Sequence, residues 1–274
     1  MRKNLSTRPS AAPGFTPGFT LVELLAVVAI IAIIVSLLLI ALPQVQRQSR
    51  STLCLTNQRQ LSVGFMMYYD DNAGRFMGVD TGIHPDWDWV NSGLPAFTGE
   101  SLVHLERGAM WAYVGAVKDV YKSPFDPFPY PLESQMNAAT APTETRVRTY
   151  AFNSFISDGE GPQWNGPQNW QVNMLAKIPR PSDTILTTLE YDHRGYNMNG
   201  FGIDMSGNGI WIDKIAPWHP QHWNFSMVDG SVLSQRYQAT PDQMEFFMTK
   251  QINNVAWPGP DYEWLRRRLA PGMF

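Results

Sequence analysis

The stretch Phe19 to Leu42, FTLVELLAVVAIIAIIVSLLLIAL, is 24 residues long and carries one charge, Glu23. At about 1.5 Å of rise per residue, a helix of that length matches the roughly 30 Å hydrocarbon core of a bilayer. The run is therefore read as a transmembrane helix, and the rest of the chain as what precedes and follows it. A conventional signal peptide is disfavoured, because its apolar core is only about 7–15 residues and is followed by a small-residue cleavage site. Residues 1–18 carry Arg2, Lys3 and Arg8 with no acid, a basic leader outside the fold. Arg47, Arg50 and Arg59 follow the run before the first acid at Asp70, so charge balance alone does not orient the span.

Glu23 is the residue that makes the run more than an anchor. A carboxylate at membrane depth costs about 2.5–3.5 kcal/mol on insertion scales, which marks a function or a partner. No Lys, Arg or His lies between Phe19 and Leu42. The natural counter-ion is then an amino terminus at similar depth, the subunit's own or a neighbour's. An acid that merely reaches to the headgroups from a plain signal anchor is the ordinary alternative.

A short basic leader ending in Gly18, followed by Phe19-Thr20-Leu21-Val22-Glu23 and the apolar run, resembles the prepilin signature of type IV pilins and type II secretion pseudopilins. The resemblance implies that a prepilin peptidase cuts after Gly18 and methylates the new amino terminus at Phe19. It also implies that Glu23, then the fifth residue, pairs with a neighbour's terminus as subunits leave the membrane for a helical filament. Gly14-Phe15 offers a second junction, but only cleavage at Gly18 gives the acid that place.

Beyond the bilayer the helix is expected to continue from Gln44 to Tyr69, with Leu53, Leu61, Phe65 and Tyr68 on one face. Pro43 is a candidate kink. Asp70-Asp71-Asn72-Ala73-Gly74 reads as the stop, with Gly74 suited to the left-handed position that ends helices. Residues Cys54, Asn57, Arg59, Gln60 and Leu61, then Tyr68, Asp70, Asn72 and Gly74, resemble the prepilin-like family named for an H-x9-DG motif. Trp111-Ala112-Tyr113-Val114-Gly115, Ser123-Pro124-Phe125-Asp126 and Tyr150-Ala151-Phe152-Asn153 extend the resemblance, and His219 precedes Asp229-Gly230 by nine intervening residues. That family often has Cys-Pro where this chain has Ser123-Pro124, so a bridge from Cys54 to that loop, if relatives use one, is absent here.

With 274 residues, 44% hydrophobic and 16% charged, the chain has enough apolar content for one sizeable head beyond the span. Its net charge of −3 announces no nucleic-acid footprint. A single cysteine, Cys54, makes an intramolecular disulfide impossible. From Phe76 onward, short segments are broken by Gly and Pro and hold ten Trp, a loop-rich region with a small sheet. Strands are expected at Ile185–Leu189, Gly209–Ile212, Asn224–Val228 and Ser231–Arg236. Asp229-Gly230 reads as the two-residue type I′ turn joining the last two. Gln243–Thr249 and Tyr262–Leu269 read as short helices.

Several constellations invite chemistry. Glu190, Asp192 and His193 lie together, and His219 and His222 sit three apart, but their spacing fits no metalloprotease or zinc-finger pattern. Gly-x-Ser-x-Gly, Walker and dinucleotide motifs are absent from the sequence. Asp204, Ser206, Asn208 and Gly209 follow the opening of a calcium loop, yet position twelve is Ile215 where an EF-hand needs Glu. Some pseudopilins hold a C-terminal loop with calcium, so the resemblance keeps a nonstandard site with Asp213 as an expectation. Trp87 and Trp89, in Asp86-Trp87-Asp88-Trp89, are candidate polymer contacts, while most of the ten Trp are expected in the core.

The expected protein is α+β and pilin-like: a leader (1–18), a membrane and filament-core helix (19–42), its amphipathic continuation (43–72) and a loop-rich head with a small antiparallel sheet (73–274). The resemblance implies a non-enzymatic filament subunit of a pilus or secretion pseudopilus. Its partners would be the peptidase, other subunits and an inner-membrane assembly platform. It would sit in the bacterial inner membrane with the leader cytoplasmic and the head outside, then in a periplasmic or surface filament. The alternative is a bitopic receptor or carbohydrate-binding protein with an uncleaved anchor.

Overall fold

A computed structural model describes residues 19–79, 86–91, 102–128, 146–158, 171–191, 200–249 and 255–271. Helix α1 runs from Leu21 to Asp71 and passes through Pro43 without interruption. The chain divides into two compact units, Met1–Gln48 and Ser49–Phe274.

In the first unit, α1 from Leu24 to Leu42 is apolar on nearly every side. Its most apolar stretch has a mean hydropathy of 3.4, and none of that stretch is buried against protein. A helix without a polar face has no orientation that suits water, and its length and composition suffice to cross a membrane. The sequence expectation of a long apolar N-terminal helix holds.

In the second unit, α1 buries Cys54, Asn57, Gln58, Leu61, Ser62, Gly64, Phe65 and Tyr68, a stripe at helical spacing. One expected member is not in it: Leu53 is exposed, and Cys54, Asn57 and Gln58 take the inward positions. The helix then stops as the residues predict. Asn72 N–H still bonds the Tyr68 carbonyl, and Ala73 and Gly74 both turn left-handed, with Gly74 N–H reaching the Tyr69 carbonyl. Gly64 lacks a side chain for a packing reason, since a Cβ there would come within 2.8 Å of the Met110 sulfur. That absence lets the short helix α3 (Met110–Tyr113), which follows α2 (Leu102–Glu106), close on α1.

The sheet is antiparallel, in the order β1 (Tyr150–Phe152), β2 (Ile185–Leu189), β4 (His222–Met227), β5 (Val232–Arg236). A second pair joins β3 (Ile210–Trp211) to β6 (Val255–Ala256). Helices α4 (Pro241–Thr249) and α5 (Pro260–Leu269) follow the sheet strands near the C-terminal end, and short 3-10 turns lie at Lys118–Tyr121, Leu175–Lys177 and Pro181–Asp183. Alternation along the strands makes two cores. Tyr150, Phe152 and Leu189 join Leu61, Phe65 and Tyr68 of α1, where the Phe65 ring lies 5.1 Å from both Phe76 and Phe152. Ala151, Trp223, Phe225 and Met227 face the other way, onto Trp211, Tyr262, Leu265 and Leu269. The architecture is thus α+β and pilin-like. Strands β1 and β6 went unforeseen because two or three residues carry no legible period.

The Asp229-Gly230 turn differs from expectation. Only Gly230 has positive φ, at 82°. Ser226 pairs with Val232, and Gly230 N–H bonds the Met227 carbonyl at 3.0 Å. The loop is therefore three residues, Val228 to Gly230, a turn closed by a left-handed glycine rather than a two-residue type I′ turn.

Candidate functional site

The entrance of α1 is built by Thr20 and Glu23. The Glu23 carboxylate accepts from Thr20 N–H at 2.8 Å and from the Thr20 hydroxyl at 2.7 Å, both through Oε2. Thr20 Oγ1 accepts from Glu23 N–H at 3.2 Å in return. This is a capping box, which satisfies amide groups that a helix start leaves without partners. The Thr-x-x-Glu spacing announces it, and sequence reasoning that treated Glu23 only as a buried acid missed it. Phe19 stands exposed ahead of the box, and Gly18 lies outside the described residues.

Within the second unit, the residues singled out after the membrane run converge on one side of α1. The Asn57 amide donates to the Asp119 carbonyl at 3.1 Å and the Lys122 carbonyl at 3.2 Å. Gln58 Nε2 donates to the Asn224 carbonyl of β4 at 2.9 Å. The Tyr150 hydroxyl lies 3.3 Å from the Cys54 carbonyl and 3.4 Å from its sulfur. Ser123 Oγ reaches the same sulfur at 3.8 Å. Burial pushes the Cys54 thiol up, so it stays protonated. Lys122 donates from Nζ to the Phe128 and Arg146 carbonyls, and burial pushes its ammonium down. Asp126 is pushed up by burial, while the Thr149 hydroxyl bonds its carboxylate at 2.7 Å.

His219 belongs to the same clasp. Its Nε2 lies 2.8 Å from Ser51 Oγ on α1, and its ring packs 4.6 Å from Phe125. Burial holds the imidazole below its ordinary value, partly offset by the Pro220 carbonyl. Asp229 does something else: its Oδ1 accepts from the N–H and hydroxyl of Ser231 and rigidifies the turn. The two motif residues are not bonded to each other. His219 fastens a loop to α1, and Asp229 and Gly230 shape a hairpin.

The other constellations resolve into local structure. His222 Nδ1 donates to the Pro220 carbonyl at 3.0 Å, and its ring is 5.9 Å from that of His219. Asp192 and His193 lie outside the described residues, among which no group of three His, Cys, Asp or Glu could hold a metal. The loop from Asp204 to Asp213 carries the calcium candidates. Asp204 accepts from the N–H and hydroxyl of Ser206, Asp213 Oδ2 accepts from Gly202 N–H at 2.7 Å, and Asn208 is exposed. The Tyr262 hydroxyl and Arg266 Nε hold the Asp204 and Met205 carbonyls. Of the Trp pair, Trp87 is 37% exposed and Trp89 fully buried. Trp89 donates from Nε1 to the Val79 carbonyl and packs against Phe152 and Tyr121. It is a core residue and no surface platform, a correction to the expected pair.

An apolar helix opened by a capping box, followed by a helix-and-sheet head, defines a pilin-like chain with a single-pass membrane anchor. Residues 17–39 match the family model described as the prokaryotic N-terminal methylation motif. No curated protein and no solved structure matches the chain. The motif supports a pilin-type, prepilin-like subunit, for which processing by a prepilin peptidase and assembly with other pilin subunits are implied.

Proposed function

We propose that the chain is a structural subunit, cleaved after Gly18, methylated at Phe19 and assembled through α1 into a type IV pilus-like or type II secretion pseudopilus filament. The observation that carries this reading is the methylation-motif match over residues 17–39, which begins at the Pro17-Gly18-Phe19 junction and leaves Gly14 outside. In the mature subunit the apolar part of α1 resides in the inner membrane with the head outside. In the filament it packs against the same segment of neighbouring subunits, replacing lipid contacts with protein contacts at little hydrophobic cost. Glu23 sets axial register. Both hydrogen bonds from Thr20 end on Oε2, which leaves Oε1 for the methylated amine of an adjacent Phe19. In a medium of low dielectric that charge pair is strong and short-ranged, so it favours one stagger over the others.

The test is the mass of the N-terminal peptide of protein taken from its own membranes. A chain beginning at N-methylated Phe19 is the expected result. An intact Met1, or a cut elsewhere, would overturn the proposal in favour of an anchored receptor.

A further inference from the structure

Between the loop that leads into β4, the end of β5 and the start of α4 lies a cleft of about 840 Å³, within the range of about 300–1,000 Å³ usual for small-ligand sites. Its walls are tied in place by hydrogen bonds. Gln221 N–H donates to the Tyr237 hydroxyl and Tyr237 N–H to the Gln221 carbonyl, each at 3.1 Å. The Asp261 carboxylate accepts from the N–H groups of Gln238 and Ala239. Thr240 N–H donates to Gln243 Oε1 and Gln243 N–H to the Thr240 hydroxyl, a second capping box at the start of α4. Gln221 is itself left-handed, with φ of 59°, a conformation uncommon outside glycine and concentrated at ligand sites. The cleft is therefore preformed, and a ligand entering it has little of the chain to order.

The chemistry of the lining selects among ligands. Met244, 6% exposed, Ala239 and Tyr237 supply apolar surface, and the Tyr237 ring is steadied by Trp223 at 5.1 Å. Arg236 and Glu245 line the same cleft and are exposed. Arg236 Nη2 lies 3.4 Å from Gln221 Oε1, which leaves most of its five donors open. One cation and one acid give the cleft no net charge. A phosphorylated or sulfated ligand would meet Glu245 as well as Arg236, and an acyl chain would strand a guanidinium, a carboxylate and the amides of Gln221 and Gln238. A hydroxyl both donates and accepts, so it bonds a guanidinium, a carboxylate and an amide alike. The C–H face of a sugar ring packs on an aromatic ring such as that of Tyr237.

We propose that this cleft binds a neutral saccharide, with Arg236 and Glu245 bonding its hydroxyls and Tyr237 packing on a ring face. The inference does not depend on cleavage after Gly18 or on filament assembly, and it assigns carbohydrate recognition to residues other than Trp87 and Trp89.

Saturation-transfer NMR on the full chain in phospholipid vesicles tests it, free of glycoside detergents that would compete. The probes are cellotriose, maltotriose and triacetylchitotriose. At least one is expected to show saturable transfer, with a Kd of about 1 mM or tighter. Arg236→Ala and Glu245→Ala should each weaken it by about tenfold and leave the thermal midpoint in place, since both side chains are exposed. Arg236→Lys and Glu245→Gln repeat the comparison if an alanine variant does not fold. Absence of saturable transfer from all three probes, or equal affinity in the parent and both variants, would overturn the proposal. So would tighter binding of a sulfated trisaccharide or of trialanine, which would make the cleft an anion or a peptide site.

Discussion

Glu23 already has a use in the isolated chain, since its carboxylate closes the box with Thr20. Capping and charge pairing can be separated because Gln preserves the former and abolishes the latter. Glu23→Ala and Glu23→Gln are both expected to insert normally, because neither side chain carries the charge that membrane insertion penalises. Filament recovery by shearing should be lost in both if charge sets register. Recovery restored by Gln would show that the box alone matters. His219 makes the second prediction at this scale. Burial lowers its folded pKa below the ordinary value of about 6.5, so the unfolded chain binds the extra proton between those two values. The contribution to stability is complete above about pH 6.5 and is lost as pH falls through that window. The difference in thermal midpoint between the parent and His219→Gln, measured from pH 7.5 to 5, should shrink toward acid.

At the scale of elements, α1 is held to the head in two different ways. From Leu61 to Tyr68 it is packed by aromatic rings, and from Ser51 to Gln58 it is fastened by hydrogen bonds to Asp119, Lys122, His219 and Asn224. Phe65→Ala should therefore cost about 3–5 kcal/mol, the range for a large ring removed from a packed core. Leu53→Ala, on the exposed side, should change stability by no more than about 0.5 kcal/mol. Urea denaturation of the two variants in detergent checks the contrast. Equal losses would place Leu53 in the core, as its hydrophobicity alone suggests. The inward choice of Asn57 and Gln58 was invisible to a hydrophobic count because their partners are backbone carbonyls from 62 to 166 residues away in sequence.

For the molecule as a whole, the span between Cys54 and Ser123 is the place where one covalent link would hold α1 to the loop that covers it. Cys54 Sγ and Ser123 Oγ lie 3.8 Å apart, within the reach of a modest side-chain rotation toward disulfide geometry. Ser123→Cys should form a bridge under oxidising conditions and raise stability by about 2–4 kcal/mol, by constraining the unfolded chain. Free-thiol titration and the thermal midpoint with and without reductant check it. Two free thiols under oxidation would show that the loop and helix do not keep this approach.

The anchor, the capping box, the helix stop at Gly74 and strand β2 are all legible in the sequence, because each rests on local chemistry: a continuous apolar run, a Thr-x-x-Glu spacing, a left-handed glycine and a β-branched segment. The α+β class followed from the apolar run, the helix stop and the strands, and its pilin-like form from the resemblance carried by Gly18, Phe19 and Glu23. Tertiary structure alone decided which of Trp87 and Trp89 is buried, since both stand in the same Asp-Trp-Asp-Trp context and it is the Trp89 ring that packs against Phe152 and Tyr121. It also decided that His219 and Asp229 act apart, one on α1 and one within a hairpin, although a fixed spacing joins them in sequence. Burial and pairing depend on groups that the chain brings together only when it folds, and no local pattern encodes them.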